Sequence, residues 1–321
     1  MFFCLDRSDF FIQKACLTMR ILLLSKGRLN YSTQRLLKVA ESRGHHVDIV
    51  NYLKCYIAIE SGRETVRYEG EELKDYDAVI PRIANKYTAY ATAILRQFEL
   101  KGTYVLTRSL PLTRSRDKVR SMQILSRAGI PIPRTVFANE TADIDDIIGL
   151  VGGAPMIIKT VMGTHGRGVI LAETRKAAKA VMQAFYVENI DFLAQEFIAE
   201  AKGSDIRAFV IGNKVVASME RKALDDDFRS NLHQGGTAKP VNLTIAEKKI
   251  AIQAAKALGL SVSGVDMIRS TTGLKILEVN ASPGFGIEKI TGVNVAESFI
   301  DFVETDSHAN NKNQKIDKIG T

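Results

Sequence analysis

In the segment GVDMIRSTTGLKILEVNASPG, residues 264–284, Asp266, Glu278 and Asn280 interrupt a mostly apolar pattern. Two strand-like runs flank Thr271-Thr272-Gly273, whose glycine suits the left-handed position of a three-residue hairpin loop. Counting outward from that loop pairs Ser270 with Leu274, Ile268 with Ile276 and Asp266 with Glu278. Strand residues two apart share a face, so Asn280 joins Glu278. The three side chains then converge with no lysine or arginine between them. Carboxylates that close repel unless cations sit among them, and a hard oxygen set suits Mg2+ or Mn2+. A solvated polar face is the alternative. The apolar neighbours Val265, Met267, Ile276 and Val279 favour a mostly buried sheet instead.

A second stretch, PMIIKTVMGTHGRGVILAE at 155–173, places Lys159 at the end of an apolar run and Gly163, Gly166 and Gly168 after it. In the Walker phosphate loop the lysine follows the glycines and opens a helix; here it precedes them and a strand follows. Lys159 would offer a point charge to phosphate oxygens while the backbone N–H groups of the glycine loop close over them. A plain β-hairpin whose lysine snorkels to water reads equally from these residues alone. Further cations, Arg207, Arg221 and Arg229, fall on strands or their exits, with Asn231 beyond them. Three arginines near a carboxylate hairpin point to anionic groups on a ligand.

The elements that must position these groups read as α/β with α+β character. Residues 1–18 are interrupted by Asp6, Arg7, Asp9 and Lys14, which argues against a signal peptide. They are expected to be a dispensable extension, or Met19 the natural start. From 19 to 108, strands RILLLS, HVDIV, DAVIP and TYVLT alternate with helices, one opening at Ser32 and ending before Gly44, another closing on Gly102. That alternation predicts a parallel sheet, without the glycine fingerprint of a dinucleotide fold. One charged helix is expected over 114–129, and a compact α+β unit over 109–190. A β-rich unit follows over 191–305, with a hairpin at Gly212-Asn213 and a Thr244/Glu247 capping box before a helix stopped by Gly259. Residues 306–321 read as a polar, disordered tail.

Bulk properties narrow the setting. The chain has 321 residues, 45% hydrophobic and 25% charged, a net charge of +8 and a pI near 9.3. The charge favours an acidic or phosphate-bearing partner, but it forms no basic block, so nucleic acid is not expected. No run is long and apolar enough for a membrane helix. Cys4, Cys16 and Cys55 have neither metal-like spacing nor a disulfide framework, which suits reducing cytoplasm.

Lys118 in RDKVRSM, Lys159 before GTHGRGV, then QEFI, DIR, DFRSN and Asp266 with EVNASPG occur in the order found in ATP-grasp ligases. More narrowly, the chain resembles the alpha-L-glutamate ligases of the RimK family. These are typified by the bacterial enzyme that adds glutamate to the C-terminus of small-subunit ribosomal protein number six. The likeness runs from about Met19 to residue 305, and DFRSNLHQGG followed by VNASPG is its most specific part. It implies an ATP-grasp fold: a Rossmann-like pre-ATP-grasp domain, a small lid and a larger β-rich ATP domain.

By position, the resemblance implies that Lys118 and Lys159 contact ATP phosphates, the latter also near the adenine cleft. The glycine loop of Gly163, Gly166 and Gly168 would cover them. Glu196 and Phe197 would line the adenine hinge, and Asp205 would bind ribose. Arg229, Ser230 and Asn231 would meet the triphosphate, with Arg221, Arg229 and Asn231 the candidate catalytic groups. Asp266, Glu278 and Asn280 would hold two Mg2+ ions, Mn2+ substituting. L-glutamate and the C-terminal tail of a ribosomal protein would be the partners, in a cytoplasmic homo-oligomer that binds neither membrane nor nucleic acid. His165 and Arg167 stand where the subfamily more usually has glutamine and an aliphatic residue. The segment SPGFGIEK is one residue short. Other readings are a glutathione-type, lysine-biosynthesis or coenzyme glutamyl ligase, and a nucleotide-binding regulator without ligase activity.

Overall fold

The computed structural model describes residues 18–73, 75–139, 143–161, 168–201, 203–223 and 236–310. The first unit comprises β1 (Arg20–Ser25), α1 (Tyr31–Ser42), β2 (His46–Val50), β3 (Cys55–Glu60), β4 (Arg63–Tyr68), β5 (Glu71–Glu72), β6 (Ala78–Arg82), α2 (Thr88–Leu100) and β7 (Tyr104–Val105). Its main sheet is parallel, in the order β2-β1-β6-β7. The unbroken apolar run of β1 is what a parallel strand covered on both faces requires, and Ile21 to Leu24 are buried. α1 is capped at Asn30 rather than Ser32; the Ser32 hydroxyl instead accepts a hydrogen bond from Phe285 N at 3.0 Å. The antiparallel meander β3-β4-β5 was not expected from the sequence.

The expected single helix over 114–129 is two: α3 (Ser109–Arg116) and α4 (Lys118–Arg127). Asp117, with extended backbone, breaks them, and its side chain caps α4 by accepting from Arg120 N at 2.9 Å. Lys118 therefore opens a helix. Next come β8 (Thr135–Ala138), α5 (Ile144–Leu150), β9 (Met156–Thr160), β10 (Val169–Ala172), α6 (Arg175–Val187) and β11 (Phe192–Glu196). These strands form one antiparallel sheet, β10-β9-β11-β8. The middle unit thus runs to Glu196, past the boundary at 190 read from the sequence, because β11 is the strand between β9 and β8.

The third unit holds β12 (Ser204–Ile211), β13 (Lys214–Lys222), β14 (Thr237–Pro240), α7 (Ile245–Leu258), β15 (Val262–Ser270), β16 (Gly273–Asn280), α8 (Gly286–Thr291) and α9 (Val295–Asn310). Its sheet is antiparallel, β14-β13-β12-β15-β16. The capping box of Thr244 and Glu247 and the left-handed Gly259 bound α7 as expected. α9 continues to Asn310, past the boundary at 305 read from the sequence, and residues 311–321 lie outside the described residues.

Core packing divides the molecule in two. Leu22, Leu24 and Val79 share a core with Ile206, Val265 and Ile276. Ile21, Leu23 and Ile80 share another with Phe209, Phe285 and Phe299. The first and third units are therefore fused. The middle unit has its own core, in which Met156, Ile158, Phe192 and Ala194 from one sheet face meet Ile148, Ala178 and Met182 of its helices. By alternation, the other face carries Ile157, Lys159, Leu193 and Gln195.

Candidate active site

One face of the five-stranded sheet changes character along its strands. Val262, Phe209, Ile211 and Met219 pack into the core shared with α9. Further along, the same face presents Asp205, Arg207, Arg221, Asp266, Glu278 and Asn280. Asp266 is opposite Glu278, and Asn280 opposite Gly264, as the sequence predicts, but by a different route. The hairpin loop has two residues, so Ser270 faces Gly273, Arg269 faces Leu274 and Ile268 faces Lys275. A bulge between Asp266 and Met267 then leaves Leu277 unopposed and restores the carboxylate pair. Val265, Met267, Ile276 and Val279 are buried on the opposite face.

Arginines do stand among the carboxylates, contrary to expectation. Arg207 forks onto Asp266 through Nε at 2.6 Å and Nη2 at 2.5 Å. Arg221 donates to Asp205 through Nε at 2.7 Å and Nη2 at 2.5 Å, and its Nη2 lies 3.2 Å from Asp266 Oδ2. Burial raises the Asp266 pKa, but the two guanidinium groups outweigh it and hold the carboxyl below its usual range. Glu278 is accessible to solvent yet hemmed in by protein. That crowding and the Asp266 charge push its pKa up, against the pull of Arg207, Lys159 and Lys118. Arg207 and Arg221 are thus engaged by protein carboxylates rather than waiting for ligand anions.

The lysines approach from two other elements. Lys118, at the start of α4, donates to Thr160 O at 2.9 Å, tying that helix to the end of β9. Lys159 donates to Gln195 Oε1 at 3.0 Å, and Gln195 Nε2 donates to Thr135 Oγ1 at 2.8 Å. Gln195, buried on β11, is a positioning residue the motif reading passed over; the signal was an amide at an inward position beside a cleft lysine. Burial lowers both lysine pKa values, and Glu278 opposes the shift. Lys159 is pulled down to about 8, with Lys118 adding to the effect.

This shift has a measurable consequence. The folded chain holds the Lys159 proton less firmly than the unfolded chain does, so the charged lysine costs stability below its folded pKa. A phosphate would repay that charge, and nucleotide affinity should fall as pH rises through about 8. Titration with ADP from about pH 7 to about pH 9.5 checks this, and a Lys159→Arg variant, always charged, should lose the pH dependence.

Glu196 closes β11 and ties that end of the middle unit to the third. Its carboxylate accepts from Arg134 N at 3.0 Å and from Lys275 Nζ on β16 at 2.8 Å. Burial raises its pKa, but Lys275 and Arg134 prevail and hold it below the usual range. Phe197 follows, half-buried, at the crossing between sheets. Asp205 is buried against Arg221. Gly168 is the described member of the glycine loop; its φ of 75° is left-handed, and a Cβ there would lie 2.4 Å from Thr160 Oγ1. Gly163, Gly166, His165, Arg167, Arg229, Ser230 and Asn231 lie outside the described residues, as do Cys4 and Cys16. The Cys55 thiol is buried and pushed up to about 12, so it offers no nucleophile.

The donor chemistry of the acidic wall fits a hard divalent ion: two carboxylates and an amide, with no sulfur or imidazole. Among the described residues no three His, Cys, Asp or Glu side chains cluster, so Asn280 is needed to complete the set. Its Nδ2 faces Asp266 Oδ2 at 3.4 Å, which leaves its oxygen for a cation. A cavity of about 360 Å³ lined by Glu200, Ser204, Ile206, Glu220, Lys222 and Arg269 reaches only Asp205 among these groups. Strand alternation puts most of its lining on the other face of the sheet, away from the metal wall.

The chain is similar to known proteins along most of its length. A RimK pre-ATP-grasp domain model matches residues 19–112, and a RimK-like ATP-grasp domain model matches residues 115–303. Over 287 residues, 89% of this chain and 95% of the relative, the sequence is 53% identical to a probable alpha-L-glutamate ligase of Aliivibrio fischeri strain MJ11. Identity is 54% over the same share of each chain with a probable alpha-L-glutamate ligase of Coxiella burnetii strain Dugway 5J108-111. The structure of the ATP-grasp ligase PsnB complexed with minimal precursor, Mg and ADP superposes with a TM-score of 0.70, covering 90% of this chain and 98% of that one. At 19% identity, that likeness speaks for the fold.

Proposed function

The chain belongs to the RimK-like ATP-grasp family of ATP-dependent ligases, and on that premise we propose that it joins L-glutamate to the C-terminal carboxylate of small-subunit ribosomal protein number six. One observation carries the chemistry. Lys118 on a helix, Lys159 on the lid sheet and Glu278 on the third sheet, far apart in sequence, lie within one another's electrostatic reach. A polyanion carrying a divalent ion is the ligand that would satisfy all three.

In this reading Lys118 and Lys159 neutralise ATP phosphates, and the loop of Gly163, Gly166 and Gly168 covers them. The main chain at Glu196 and Phe197 holds the adenine. Asp205 meets the ribose while sharing Arg221, and Arg229, Ser230 and Asn231 meet the triphosphate. Asp266, Glu278 and Asn280 would hold Mg2+, with Mn2+ able to substitute; the ion supplies charge neutralisation at the transferring phosphate. An acceptor carboxylate oxygen attacks the γ-phosphorus and ADP leaves, giving an acyl phosphate. The glutamate amine then attacks the acyl carbon, phosphate departs with that oxygen, and the amine proton goes to solvent or a nearby base. Arg207 and Arg221 keep Asp266 ionised and Gln195 aims Lys159, so the residues contribute position and charge rather than a covalent nucleophile. The separate core of the lid allows it to close as a body and exclude water.

The same reading includes a homo-oligomer working in the cytoplasm; among the described residues no helix is long and apolar enough to cross a membrane. Incubation with ATP, Mg2+, labelled glutamate and the ribosomal protein tests it by mass spectrometry. The acceptor should gain whole glutamate residues at its C-terminus. Label confined to a small molecule would indicate a glutathione-type, lysine-biosynthesis or coenzyme ligase. Nucleotide binding without acceptor-dependent phosphate release would indicate a regulator.

A further inference from the structure

A second concentration of cations lies in the first unit, outside the nucleotide site. In the sheet β2-β1-β6-β7 the chain leaves β1 toward one edge and β6 toward the other, so strand order reverses between them. In open α/β sheets ligands occupy the crevice beyond the carboxyl ends of the strands at such a reversal. Ser25 and Arg82 pair at those ends, and the loops beyond them bring exposed Lys26 and Lys86. Arg116, at the end of α3, reaches the same place: it donates to Ile83 O, to Ala84 O at 3.4 Å and to Thr88 Oγ1 at 2.8 Å.

Arg82 connects this crevice to the acidic wall. It donates to Pro283 O at 2.7 Å and stacks 5.3 Å from the centre of the Phe285 ring, which fixes its fork. Pro283 belongs to the loop that follows Asn280. It also packs on Gly264, the strand partner of Asn280, where an added Cβ would lie 3.0 Å from Pro283 Cβ and 3.8 Å from Arg207 Nε.

Charge balance sets these two arginines apart. Arg35, Arg43, Arg207 and Arg221 each meet a carboxylate. Among the described residues, Arg82 and Arg116 have only carbonyl and hydroxyl partners. Burial lowers both to about 10, and the charge of Arg116 adds to the shift at Arg82. Partly buried cations without counter-charge are costly, and an arriving anion would relieve the cost.

We propose that the crevice between β1 and β6, with Arg82 and Arg116 at its base and Lys26 and Lys86 at its rim, is a carboxylate subsite for an acidic substrate. This rests on the ligase reading. The incoming glutamate carries two carboxylates that take no part in bond formation, and the acceptor brings one at its C-terminus. Either needs positive charge close to the wall of Asp266 and Glu278.

Glutarate, a dicarboxylate without an amine, is the binding probe, titrated calorimetrically into the full chain with Mg2+ and ADP present. Wild type should bind it, and Arg82→Gln or Arg116→Gln should weaken binding at least about tenfold while ADP affinity stays unchanged. In turnover assays the same variants should raise one KM. A rise for glutamate assigns the crevice to the free amino acid, and a rise for acceptor assigns it to the peptide end. Should the arginine variants fail to fold, Lys86→Glu, at an exposed position, should move glutarate affinity in the same direction. Absence of glutarate binding to wild type, or unmoved glutarate affinity and KM values in every folded variant, overturns the subsite. Loss of glutamate-dependent ATP turnover in wild type sinks the ligase reading instead.

Discussion

A Glu278→Gln variant should melt at or above the wild-type temperature and yet turn over ATP at least about 100-fold more slowly. The two signs have one cause. Glu278 faces Asp266 across a bulged hairpin, and surrounding protein together with the Asp266 charge pushes its pKa up. Its ionised form is therefore a burden to the empty fold, which a neutral amide of the same shape removes. The ionised form is also the one that would share a divalent cation with Asp266 and Asn280. A carboxylate on an ordinary solvated face would move neither quantity. Thermal melting and ATP turnover, with and without Mg2+, check the prediction; wild-type activity in the variant would remove Glu278 from the metal site.

The second large effect is expected at Arg207. Its fork supplies the two shortest contacts to Asp266, a buried carboxylate, while Arg221 is shared with Asp205. Arg207→Met leaves that carboxylate short of positive charge and should cost about 3–5 kcal/mol of stability, the usual result of removing one partner of a buried pair. The sign with pH follows from the direction of the shift. The Asp266 pKa is lowered on folding, so its stabilisation is present above the unfolded carboxylate value of about 3.9 and fades as pH falls through the folded one. In the variant that pKa rises, and acid unfolding should begin at higher pH. Mg2+ should raise the melting temperature more in Arg207→Met than in wild type, because a divalent ion replaces the missing charge. Denaturant unfolding across pH checks the loss, and an Asp266→Asn background should largely abolish it.

The sequence carried the fold class, the order of the units and the pairing of Asp266 with Glu278, because alternation and loop glycines are local signals. Even there two errors cancelled: the loop is one residue shorter than counted, and the bulge at Leu277 makes up the difference. Local pattern did not reveal the break at Asp117, where a capping aspartate lies inside a run of charges that continues the helical period. It also did not reveal that Arg207 belongs to Asp266 and Arg221 to Asp205, since those pairs depend on the register of three strands. Gln195 was hidden for the same reason: its value lies in reaching Lys159 across the middle sheet. Arg82 and Arg116 sit in no motif, and only the sheet order places them at a strand reversal beside Pro283.

The central claim is that ATP activates an acceptor carboxylate through an acyl phosphate held against Asp266, Glu278, Lys118 and Lys159. Oxygen-18 placed in the acceptor's C-terminal carboxylate follows the atom that this chemistry moves. After one round of ligation with unlabelled ATP and glutamate, the released phosphate should carry one labelled oxygen and the other should remain in the new amide. Phosphate free of label, or label in AMP instead, would contradict the account.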